Sequence, residues 1–136
     1  MLIMLIYKNF LIYNMGDVEL HSKIAKEKRE AAHEEFVKGR YTVVGDLAIK
    51  AVEQAIESIA SLEGLHFHLH PRSAHARRIR WFKDRFPYLS EYIDMLWGAY
   101  GMLGYEGING ERARKVLDAM EVILNEIERK TGVRFK

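Results

Sequence analysis

The sequence predicts an all-α protein, an up-and-down bundle of four or five antiparallel helices, and three observations lead there. Apolar residues recur every three or four positions through Tyr41–Leu62 and again through Glu111–Lys130, the period of a helix with one buried face. Glycine or proline follows each periodic stretch, at Gly39, Gly64, Pro87 and Gly132, where helices commonly stop. No stretch shows the period-two alternation of a half-buried strand within a hairpin pattern. The chain has 136 residues, 49 % of them hydrophobic and 29 % charged, with two prolines. That describes one globular domain without linkers or low-complexity tracts.

The elements follow in order. Residues 1–14, rich in Leu, Ile and aromatics, read as an upstream extension or N-terminal arm before a natural start at Met15. Their β-branched and aromatic content suits a strand or an oligomer contact, and they are too few to span a bilayer of about 30 Å hydrocarbon. Residues 15–136 then form the domain. A first helix from Asp17 to Lys38 has only a thin stripe of Val18, Ile24, Ala25, Ala31, Ala32 and Phe36. The second, Tyr41–Leu62, carries Val44, Ala48, Ala51, Val52, Ala55, Ile56 and Ile59 on one face, and its alanines allow close approach to a partner helix. Ser73 is placed to cap a third helix with Ile79, Phe82 and Phe86 turned inward, and Pro87 stops it. A fourth begins at Ser90 and precedes the turn Gly104–Gly110. Asn109 is placed to cap the fifth, Glu111–Lys130.

Chemistry concentrates between His66 and Arg85. That window holds four of the six histidines and six Lys/Arg against one acid, Asp84, a formal +5 in a chain whose total is +2. The positive charge is therefore local. His66, His68 and His70 alternate, so an extended segment would put three imidazoles on one side. No HExxH and no pair of histidines at helical spacing accompanies them, and the run reads as a polar loop with no metal and no cofactor required. Cysteine is absent, which excludes disulfides and thiolate sites and fits a reducing cytoplasm.

Arg72, Arg77, Arg78, Arg80, Lys83 and Arg85 start at a helix N-terminus and continue along it. At 100° per residue Arg77 and Arg80 fall together, with Arg85 more loosely beside them. A ridge of this kind engages several phosphates through counterion release and bidentate contacts. The competing reading pairs these cations with acids of neighbouring helices, Glu57, Glu91 and Asp94. For phosphate or RNA the expected contacts are Arg72, His75, Arg77, Arg80 and Lys83. His75 with Arg78, or with Arg77, is the one arrangement suited to general acid–base work and phosphate stabilisation. Tyr100 and Tyr105 are the aromatics expected at a cleft. The glycines from Gly98 to Gly110 follow a helix rather than a strand, so no dinucleotide or P-loop is present.

Four patterns carry a resemblance: GRYTVVGDLAIKAVEQAIESIA, His75 in the P-x-x-x-H of PRSAHARRIRWF, the Tyr100–Tyr105 segment, and ERARKVLDAMEVILNEI. From about Glu34 to Glu128 the chain resembles the HEPN superfamily, nearest its archaeal branches. The resemblance implies a helical homodimer tied to RNA or nucleotide biology, often paired with a nucleotidyltransferase partner as toxin and antitoxin. HEPN ribonucleases use an Arg and a following His with four to six residues between them. No arginine here stands at that spacing; Arg29 to His33 and Arg72 to His75 are shorter. The expectation is a domain that binds RNA, nucleotide phosphates or a protein partner, without the nuclease motif.

Overall fold

The computed structural model describes the backbone of residues 2–106 and 110–136, and their side chains except those of 6–14 and 99–106. Five α-helices appear in order: α1 (Leu2–Val37), α2 (Tyr41–Ser61), α3 (Ala74–Arg85), α4 (Ser90–Glu106) and α5 (Gly110–Thr131). Two single 3-10 turns, Phe67–Leu69 and Pro87–Leu89, flank α3. Among the described residues there is no strand, and no helix is long and apolar enough to cross a membrane. The all-α bundle expected from the periodicity is the architecture found.

Helix α2 is the central element, packed along α1 on one side and against α4 and α5 on the other. Its face of Val44, Ala48, Ala51, Val52, Ala55 and Ile56 is fully enclosed. The alanines let α1 approach closely, and α1 answers with its own buried Ala25 and Ala32. Helix α5 closes the core with Val116, Leu117, Met120, Ile123, Leu124 and Ile127. Beyond it the chain turns at Gly132, whose φ of +78° lies in the left-handed region that favours glycine. That turn brings Phe135 back into the core, fully buried, a contact not expected from the periodicity. Gly39, with φ +74°, makes the equivalent reversal between α1 and α2.

Four local expectations are revised. The first helix begins at Leu2 rather than Asp17 and runs unbroken through Met15. A strand in residues 1–14 would need a neighbouring strand for its backbone groups, whereas a helix satisfies them internally. Ser73 sits at the N-cap of α3 but its side chain makes no cap hydrogen bond. Ile79 is half-buried, while Phe82 and Phe86 are buried as expected. Helix α4 extends to Glu106, into the expected turn, and Asn109 lies outside the described residues.

The thin apolar stripe of α1 is supplemented by a buried cation. Arg29 donates Nε to Glu121 Oε1 at 2.9 Å and Nη2 to Glu121 Oε2. It also donates Nη1 to Glu128 at 3.0 Å and to the Phe135 carbonyl at 3.2 Å, and Nη2 to Asn125 at 3.1 Å. One guanidinium thus joins α1, α5 and the C-terminal tail. His33 adds a 2.7 Å contact to the same Glu121 carboxylate. Hydrogen bonding from Arg29, aided by His33 and opposed in part by burial, holds the Glu121 carboxyl below its ordinary range. A carboxyl depressed in the folded state stabilises fully above its unfolded value, and that stability is lost as pH falls through the folded one. The urea midpoint is therefore expected to fall as pH is lowered through and below the ordinary carboxyl range. Glu121→Gln lowers the neutral-pH midpoint and flattens this acid limb, measured by urea titration at stepped pH.

Candidate functional site: the basic helix and its buried support

Two carboxylates sit on the interior of α2. Glu53 and Glu57 lie one helical turn apart, the first 8 % exposed and the second fully buried. Ionised carboxylates removed from water require partners, and α3 supplies one. Arg78 donates Nε to Glu57 Oε1 at 3.0 Å, places Nη2 2.9 Å from the same oxygen, and donates Nη1 to Glu53. His68, from the 3-10 turn before α3, places Nδ1 3.1 Å from Glu57 Oε2. Helix α3 is only twelve residues long. Its position on α2 rests on this ion pair together with Phe82 and Phe86.

The basic segment consequently divides. Arg78 is buried, so it is not presented beside His75. His75 is exposed and its ring meets Trp97 with centroids 4.1 Å apart. The pairing of His75 with Arg78 expected to suit catalysis does not form. Lys83, expected as a phosphate contact, is bonded to Asp94 at 2.6 Å. Arg85 is paired with Glu63 and its guanidinium carbon stands 5.1 Å from the Trp81 ring centroid. Its hydrogen bonds to the Glu63 carboxylate raise the Arg85 value above that of free arginine. The competing reading thus holds for Arg78 with Glu57 and for Lys83 with Asp94.

Arg72, Arg77 and Arg80 remain exposed, and none has a carboxylate partner among the described residues. Arg77 lies over Phe67, 5.6 Å from the ring centroid. With Arg80 it borders a shallow groove of about 230 Å³ lined also by Leu65, Phe67, Trp81 and Asp84. Two guanidinium groups above an aromatic floor can take a phosphate and stack a base. Tyr100 and Tyr105 fall outside the described side chains.

The three alternating histidines do not share one side. The segment is a 3-10 turn rather than extended, and about 120° per residue replaces the alternation. His66 Nδ1 lies 2.8 Å from the Asp17 carboxylate, His68 meets Glu57, and His70 is exposed. Asp17 and His21 of α1 reach the same region, although nothing in the basic window points to them. Their i, i+4 spacing was the available signal.

Comparison with protein-family models, with curated proteins and with solved structures finds no match.

Removing Arg78 leaves two buried carboxylates uncompensated. Arg78→Ala is expected to lower the unfolding free energy by about 3–5 kcal/mol. Arg78→Met combined with Glu53→Leu and Glu57→Leu recovers most of it, because charge and partner leave together. Urea denaturation followed by far-UV circular dichroism distinguishes the two outcomes.

Proposed function

We propose that this chain is a HEPN-like helical domain that binds RNA or nucleotide phosphates through the outer face of α3, without hydrolysing them. One observation carries the reading: of the six cations in the His66–Arg85 window, Arg72, Arg77 and Arg80 face solvent with no acid partner among the described residues, two of them beside an aromatic-floored groove. Surface cations in excess of their acids are what a polyanion needs. The noncatalytic part is supported by the commitment of Arg78 to Glu53 and Glu57. It is supported also by Arg29 and His33, which both contact Glu121 rather than a shared open site.

A second reading, association with protein, is favoured by the apolar start of α1. Leu2, Ile3, Met4 and Leu5 are all exposed, and such a surface suits a second copy of the chain or a nucleotidyltransferase-type partner. Light scattering on the purified protein tests it: a dimer that becomes a monomer on Ile3→Lys with Leu5→Lys supports the contact, and a monomeric wild type removes it.

For the phosphate reading the measurement is fluorescence anisotropy of a short single-stranded RNA over a salt series. Affinity is expected to fall steeply with salt. Arg77→Ala with Arg80→Ala should weaken binding and make the slope of log K against log salt shallower by about 1.4, at about 0.7 for each single-strand phosphate no longer neutralised. Arg85→Ala, already paired with Glu63, should change the slope less. Binding indifferent to salt, or unaltered in the double variant, overturns the reading; cleavage of the RNA overturns its noncatalytic part.

A further inference from the structure

Where α1 passes the loop that follows α2, polar groups from both elements meet around a buried imidazole. Asp17 and His21 are four residues apart on α1 and so share a face. His68 comes from the 3-10 turn. One ligand-type atom from each of Asp17, His21 and His68 lies within 4.8 Å of the other two, and the rings of His21 and His68 have centroids 4.6 Å apart.

The groups behind these three are arranged to orient them. His21 Nδ1 stands 2.7 Å from the Gln54 amide oxygen, which can only accept, so Nδ1 carries the hydrogen and Nε2 keeps its lone pair. His68 Nδ1 stands 3.1 Å from Glu57 Oε2, and the same reasoning leaves its Nε2 as an acceptor. His66 Nδ1 lies 2.8 Å from Asp17 Oδ2. Imidazoles whose second nitrogen is fixed by a carboxylate or amide oxygen are the usual support of metal-ligating histidine. An independent observation points the same way. His21 is only 4 % exposed, and its Nε2 is buried with no hydrogen-bond partner. A buried lone pair facing no donor is unfavourable, and a cation held jointly with His68 and Asp17 would satisfy it.

We propose that Asp17, His21 and His68 form a binding site for a divalent first-row transition metal of the zinc class. Two imidazoles and one carboxylate, with no thiolate anywhere in the chain, suit borderline cations and leave a fourth position open. The metal staples the middle of α1 to the loop before α3. Glu57, which orients His68 through one oxygen and holds Arg78 through the other, connects this site to the basic helix.

The test uses tag-free full-length protein freed of metal by dialysis against chelator, then titrated with Zn²⁺ by calorimetry and with Co²⁺ by visible absorption. One equivalent should bind, raise the melting temperature, and give the intense ligand-field bands of a low-coordinate cobalt site. Asp17→Asn and His68→Gln, at partly exposed positions, and His21→Gln should each abolish stoichiometric binding. Gln54→Leu should weaken it about 10–100-fold by releasing the His21 ring. His70→Gln should change nothing. Should His21→Gln fail to fold by circular dichroism, the Asp17 and His68 variants decide alone. Absence of saturable Zn²⁺ and Co²⁺ binding, binding that survives both Asp17→Asn and His68→Gln, or loss of binding in His70→Gln overturns the proposal.

Discussion

The bundle is organised by two carboxylates held inside it. Glu53 and Glu57 occupy the mostly apolar buried face of α2, and a buried negative charge is tolerated only where a cation and hydrogen bonds compensate it. Arg78 provides both, and in doing so sets the rotation of α3 about its own axis. With Arg78 and Phe82 inward, Arg77 and Arg80 must face solvent, because residues three and four apart share a side and their neighbours do not. The surface charge of the protein is thus a consequence of how its interior charge is neutralised. Leu89, Ile93 and Leu96, which follow in the chain, then reach the α2 face that α3 leaves open.

Helix α1 is held by the same principle at a different place. Its apolar stripe is thin and its closest packing uses Ala25 and Ala32, which bury little area each. Polar anchors make up the difference. Arg29 spans α5 and the tail, while Asp17 and His21 meet the loop that carries His66 and His68. Buried polar networks of this type are costly when incomplete and specific when complete. They fix which of several similar helix registers is adopted. The weak amphipathicity of α1 alone would leave that register loosely defined.

Within the basic segment, proximity of acids decides which cations remain available to a ligand. Lys83 and Arg85 sit near Asp94 and Glu63 and are neutralised locally. Exposed pairs of this kind contribute little to stability, but they remove charge from the surface a polyanion would meet. Arg72, Arg77 and Arg80 stand where no described side chain supplies an acid partner. Charge density read along the chain therefore overstates the charge offered to a partner, here six cations against the three that stay without an acid partner among the described residues.

The helices were legible because their causes are local. The three-to-four periodicity of α2 and α5, and the reversals at Gly39 and Gly132, depend on residues within a few positions of each other. The basic outer face of α3 was legible in part for the same reason, since Arg77 and Arg80 share a side by spacing alone. What spacing left open was which of the six cations turn inward. Arg78 and Arg77 are adjacent and chemically identical, and only the arrival of α2 with Glu53 and Glu57 distinguishes them. The alternation of His66, His68 and His70 suggested a unit from which the 3-10 turn removes His70, leaving the His66 and His68 rings 6.0 Å apart, while Asp17 and His21 gained their meaning from a loop more than forty residues away in the sequence. The sequence by itself determined the helical elements from α2 onward and the location of the positive charge, through short-range backbone and side-chain periodicity. Tertiary structure decided which charges are buried, which are exposed and which imidazoles converge, because those depend on contacts between elements distant in the chain.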